Sequence, residues 1–207
     1  MKWIICILFA VMTGCYLLRQ HIRYGTPRRR GWEIFFKCAA TSMAALLALL
    51  ACLKNGIAAN WVMLAGLVIC TAADGVLCRR FVAGGVLFTL GHALYIVAFC
   101  LMNLPGWRSL ILFACLMGLT TSAFTAWRAR IGRRYAFFYA YAVMLCTMVA
   151  MAASQRPLFL TGALLFAFSD GLLGYLMLDR RHVFLDYVSL GAYYLGQFLL
   201  ALAMTVG

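Results

Sequence analysis

The sequence is poor in charge and poorest in acid. Its 207 residues carry only five Asp and Glu, and charged side chains of both signs make up 11%. A soluble domain has about a quarter of its residues charged, so a soluble globular protein is excluded. Disorder is excluded too, because 66% of the residues are apolar or aromatic and such a chain has ample surface to bury. Strands of about ten residues alternating polar with apolar, the mark of an outer-membrane barrel, are missing. So are Cys-x-x-Cys pairs and His-x-x-x-His spacings. The nine cysteines (6, 15, 38, 52, 70, 78, 100, 115 and 146) lie within or beside apolar runs. They read as small buried hydrophobes, with no disulfide and no cysteine metal site expected.

What is present is a series of continuous apolar runs, at 3–18, 33–53, 57–78, 82–101, 109–127, 135–153, 158–178 and 183–205. Most are near twenty residues, the length that crosses a bilayer as helix, and open strands cannot survive in lipid. The expected fold is all-α: a polytopic bundle of eight transmembrane helices, with residues 1–207 forming one membrane domain. The first run resembles a signal peptide, but its strong basic cluster follows it instead of preceding it, which marks an uncleaved span.

Eighteen Lys and Arg give a formal net charge of +13. They fall between the apolar runs, as topology signals and headgroup partners, so a lipid bilayer is the expected partner and nucleic acid is not. Odd-numbered loops hold thirteen Lys and Arg, while even loops and the termini hold four, leaving aside Lys37 inside the second run. The positive-inside rule therefore places the odd loops in the cytoplasm and both termini outside. An inner-membrane location in a bacterium is expected. Oligomeric state is not addressed by any of these features.

A short internal repeat accompanies this pattern. Ala73-Asp74-Gly75-Val76-Leu77 and Ser169-Asp170-Gly171-Leu172-Leu173 are each followed by an arginine pair and a further span. Four helices separate the copies, which is the arrangement of a 4+4 parallel duplication.

Ionisable groups inside a span are costly, and each is a candidate for function. Measured from the arginine hairpins at 1.5 Å per residue, Asp74 lies ~10 Å deep, His92 ~17 Å and Tyr95 ~22 Å. On the same scale Asp170 lies ~16 Å deep and Tyr193 ~19 Å, and Lys37, counted from Glu33 four residues earlier, ~6 Å. Two carboxylates, an imidazole and tyrosines can thus share one layer. His92 with Tyr95, and Tyr193 with Gln197, are spaced to share a helix face. The structural alternatives stand beside this reading. Asp74 can tie to Lys37 or Arg79, His92 can be a satisfied core histidine, and Tyr95, Tyr193 and Gln197 can be interhelical hydrogen-bond glue. The histidine depths do not suit a three-histidine zinc site, so no metal is expected.

Several of these residues carry a resemblance. Ala73-Asp74-Gly75-Val76-Leu77, then Phe88 and Gly91-His92-Ala93-Leu94-Tyr95-Ile96 with Phe99, resembles the first signature of the YhhN-like lysoplasmalogenase family. Gly162-Ala163-Leu164-Leu165-Phe166-Ala167-Phe168-Ser169-Asp170 resembles its second signature, and Tyr193-Tyr194-Leu195-Gly196-Gln197 its last. Lys37 stands where the family has Lys-Pro, with Cys38 replacing the proline. The resemblance implies an eight-helix membrane enzyme without cofactor that hydrolyses the vinyl ether bond of lysoplasmalogens to a fatty aldehyde and a glycerophospho-alcohol. Vinyl ether hydrolysis begins with protonation at carbon and passes through an oxocarbenium ion. Like glycoside hydrolysis, it suits a pair of carboxyl groups. Asp74, Asp170, His92 and Tyr95 are then the catalytic candidates. Lys37, Tyr193 and Gln197, with Arg79, Arg80, Arg180 and Arg181 for the phosphate, are the candidates for substrate binding. A proton- or cation-coupled carrier using the same aspartates is the competing class, although no span has a Gly or Pro break at mid-depth in matching repeat positions.

Overall fold

The computed structural model describes residues 2–25, 30–178 and 182–206. Eight α-helices follow in order: α1 Lys2–Gly25, α2 Arg30–Lys54, α3 Ala58–Leu77, α4 Phe81–Met102, α5 Trp107–Ile131, α6 Tyr135–Ala152, α7 Pro157–Leu178 and α8 Val183–Ala203. Seven helical runs are long and apolar enough to cross a membrane. One of them, Trp107–Ala152, has 46 residues, about 69 Å as a straight helix and more than twice a bilayer core. It is two helices folded back on each other, as ring contacts between Phe124 and both Tyr135 and Tyr139 show. The reversal is made at Gly132, whose φ of +63° lies in the left-handed region that glycine enters without strain. This is an integral membrane protein, all helical among the described residues.

Helix ends depart from the apolar runs where charge is buried instead of solvated. The first run stops at residue 18, yet α1 continues to Gly25. Arg19 is only 3% exposed and pairs with Glu33 of α2 at 3.1 Å, while Arg23 reaches Glu33 at 3.5 Å and Asp186 of α8 at 3.6 Å. Tyr24 donates to Asp186 at 2.9 Å. Asp186 thus pairs with α1; the neighbouring turn of Asp179, Arg180 and Arg181 lies outside the described residues. At the opposite end, Asn103 donates to Gln155 and the hydroxyls of Ser109 and Ser154 meet. This ties the α4–α5 and α6–α7 loops together.

Lipid is as apolar as leucine, so membrane helices associate through close packing of small residues more than through burial from water. On α2, Ala40, Ala44, Leu47, Ala48 and Ala51 form a fully buried stripe at helical spacing. Between α3 and α4, a Cβ on Gly66 would stand 3.2 Å from the Gly91 carbonyl oxygen; between α7 and α8, one on Gly162 would stand 2.9 Å from that of Gly196. Each pair brings two backbones into contact, and each first glycine precedes its aspartate, Asp74 or Asp170, by eight residues. The two halves therefore repeat in structure as well as in sequence. Across the halves, α2 packs on α8 and α6 on α4, as a 4+4 repeat requires. The symmetry breaks at the periphery: α1 packs on both α2 and α8, whereas α5 packs extensively on α6 alone. Ser109 is the only described residue of α5 that is fully buried.

Candidate functional site

Asp74 is completely buried. Its Oδ1 meets the Lys37 ammonium of α2 at 2.9 Å, as an ion pair without an aligned hydrogen bond. Its Oδ2 accepts hydrogen bonds from Thr41 at 2.5 Å and from Tyr193 of α8 at 2.9 Å. Lys37 and Thr41 are one turn apart, so a single face of α2 supplies both. The bonds continue inward: Gln197 donates to Tyr193 at 3.4 Å, and Tyr95 of α4 donates to Gln197 at 2.8 Å. Five sequence candidates, Lys37, Asp74, Tyr95, Tyr193 and Gln197, therefore form one connected chain across four helices.

Asp170 is held differently. It accepts a short hydrogen bond from Tyr141 of α6 and has no ion pair among the described residues. His92 sits between the two aspartate systems, its ring 4.8 Å from Phe166, 5.4 Å from Tyr141 and 6.4 Å from Tyr95. It is fully buried, and neither ring nitrogen has a hydrogen-bond partner among the described residues. Buried nitrogens of this kind ordinarily carry water or a ligand. A satisfied core histidine, one of the readings open from sequence, is not what the geometry provides.

Asp170 and Tyr141 lie on the wall of a cavity of 890 Å³, large enough for a drug-sized or lipid ligand. Its walls come from α4, α5, α6 and α7, with Leu77 from the end of α3, and are mostly leucine and aromatic side chains. The cavity fills the space between α5 and the α4–α7 side of the bundle, where α5 reaches α7 through the Trp127–Tyr175 ring contact. Arg133 and Arg134, at the α5–α6 turn, also line it. Arg79 and Arg80 are exposed in the α3–α4 turn and are not among its lining residues. Arg180 and Arg181 lie outside the described residues.

Four contributors escape the sequence. Thr41 carries only the signal of being one turn from Lys37. Tyr141 is one of three tyrosines near the start of α6, and nothing in its spacing marks it. Arg133 and Arg134 read as topology residues until the cavity is seen. Among the described residues no group of three or more His, Cys, Asp or Glu could hold a metal, and the nine cysteines are free.

No curated protein and no solved structure matches the chain. The YhhN family model matches residues 32–204, from the start of α2 to just beyond α8, which includes both aspartate motifs and the final Tyr-Tyr-x-x-Gln; the chain belongs to the YhhN family.

Proposed function

We propose that the protein is a lysoplasmalogenase-type hydrolase, cleaving the vinyl ether of a single-chain alkenyl phospholipid in the membrane. The observation that carries this reading is Asp170: a carboxyl group without a counter-ion among the described residues, on the wall of an apolar cavity of lipid size. Vinyl ether protonation needs a carboxyl group in reach of the lipid chain, and Asp170 stands on the wall that such a chain would line.

In this reading Asp170 gives its proton to the vinyl carbon remote from oxygen; the double bond's π pair forms the new carbon–hydrogen bond, and a lone pair of the ether oxygen stabilises the adjacent carbon as an oxocarbenium ion. Asp74 is a fixed anion, held by Lys37, Thr41 and Tyr193, whose field is directed at the developing cation. A water on His92 attacks the cation, and the Asp170 carboxylate takes the water's proton. The resulting hemiacetal breaks to aldehyde and alcohol. Overall one water adds, one carbon–oxygen bond breaks, and Asp170 ends protonated as it began. Tyr95 and Gln197 hold Tyr193 in place. Arg79, Arg80, Arg180 and Arg181 belong to the basic belt of the odd-numbered turns, set at the cytoplasmic face of an inner membrane with both termini outside. The chain acts as one membrane domain.

Incubation of the purified protein with lysoplasmalogen and with its saturated ether analogue tests the reading. Aldehyde should appear from the first alone. A carrier would release none, and would instead conduct protons or cations when reconstituted in liposomes.

A further inference from the structure

The cavity is nearly all apolar, but its chemistry is polarised along its length. Arg133 and Arg134 occupy one end, at the turn that closes α5 onto α6. Asp170 and Tyr141 sit part of the way in, and Leu116, Leu145 and Val149 lie deeper on α5 and α6. Neither arginine forms an ion pair among the described residues, and both are exposed. Among the described residues no acidic side chain other than Asp170 lines the cavity.

We propose that Arg133 and Arg134 bind the phosphate of a lysophospholipid whose hydrocarbon chain lies in this cavity. The inference rests on the functional reading above only for the position of the reacting bond. Spacing supports it. Tyr141 lies seven residues beyond Arg134 on α6, so the Asp170–Tyr141 pair is about 10 Å along the helix from the arginines. In a 1-alkenyl lysophospholipid, seven bonds separate phosphorus from the vinyl carbon that must be protonated. An extended chain advances roughly 1.2 Å per bond, giving about 8 Å, and an arginine–phosphate contact adds the remainder. A phosphate on the arginines therefore sets the vinyl carbon beside Asp170 and leaves the alkyl tail among the leucines. Paired guanidinium groups suit the planar, two-point recognition that phosphate oxygens invite.

The occupant follows from charge and shape together. A fatty acid or an alkylglycerol would fill the apolar part and leave the arginines without a phosphate. A free phosphate would use the arginines and leave the cavity empty. A diacyl lipid would need a second channel, whereas a single-chain phospholipid matches both parts. Entry is lateral, between α5 and α4, because α5 packs extensively only on α6 and meets α7 through the Trp127–Tyr175 ring contact.

The test is binding, which separates this inference from the hydrolase reading. The full chain in detergent is titrated with the saturated 1-O-alkyl lysophospholipid, which has no vinyl ether to cleave, and with the neutral 1-O-alkylglycerol. Bound lipid is counted by native mass spectrometry. The Arg133→Gln/Arg134→Gln variant should weaken the phospholipid about tenfold or more and leave the alkylglycerol unchanged. The Arg133→Lys/Arg134→Lys variant, which keeps the charge, should lose less. Arg130→Gln, on the same turn but outside the cavity lining, should bind as the parent does. Equal weakening of both lipids, an unchanged phospholipid affinity in the glutamine pair, or equal weakening by Arg130→Gln would overturn the proposal. Displacement of the lipid by millimolar inorganic phosphate would overturn it as well, assigning the site to a soluble anion. If the binding pattern holds and no aldehyde is ever released, the phosphate site stands and the hydrolase reading falls.

Discussion

Lys37 Nζ lies 2.9 Å from Asp74 Oδ1, with the two side chains 8% and 1% exposed. The pair joins α2 to α3, and the same carboxylate holds α8 through Tyr193. Removing one partner of a buried pair leaves the other charge without compensation, which typically costs about 3–5 kcal/mol. Lys37→Met should therefore lower the melting temperature in detergent sharply. Removing both charges, as Lys37→Met with Asp74→Asn, should recover most of the loss. Additive losses in the double variant would show that the two residues are not coupled.

Asp170 should behave in the opposite way. Among the described residues its side chain has one hydrogen bond, from Tyr141, and it faces a cavity, so Asp170→Asn should leave the melting temperature nearly unchanged. Its turnover should fall by about a hundredfold or more, the usual worth of a general acid. Tyr141→Phe should have a smaller effect on turnover, since it removes a hydrogen bond and leaves the proton donor. A well-folded Asp170→Asn variant with full activity would remove Asp170 from the mechanism.

His92 separates function from stability in a single substitution. Both its nitrogens are buried without partners among the described residues, and such groups lower stability unless water or ligand satisfies them. His92→Phe should keep the melting temperature or raise it, while turnover falls. A drop in stability with activity retained would make His92 a structural residue instead.

The glycines of α7 divide by what surrounds them. A Cβ on Gly162 would meet the Gly196 carbonyl oxygen at 2.9 Å and the Leu200 amide nitrogen at 3.1 Å, whereas one on Gly171 would meet nothing within 4 Å. Gly162→Ala should destabilise by about 1–3 kcal/mol through overpacking. Gly171→Leu should fold normally and fill cavity volume beside Asp170, lowering lipid binding. Thermal melting and lipid titration on the two variants check both halves of this contrast.

The fold was legible in the sequence to the extent that it depends on one helix at a time. Apolar length located every span, and the two Asp-Gly motifs located both aspartates, because in lipid an acid stands out against its surroundings. Helix ends were missed where charge is buried by a partner far along the chain: α1 runs past Arg19 because Glu33 receives it. The roles of the aspartates were hidden for the same reason. Asp74 and Asp170 sit in matching motifs, and the difference between them comes from α2, which offers Lys37 and Thr41, against α6, which offers Tyr141. The cavity was not legible at all. It arises from α5 packing extensively on one neighbour only, a property of helix placement that hydrophobicity does not encode.

The most direct test of carbon protonation by Asp170 is lysoplasmalogen turnover in D₂O, with the aldehyde analysed by mass spectrometry. The account predicts one deuterium at the carbon next to the aldehyde group, introduced at a rate that falls about a hundredfold or more in Asp170→Asn. Aldehyde without that deuterium, or with it at an undiminished rate in the folded variant, would contradict it.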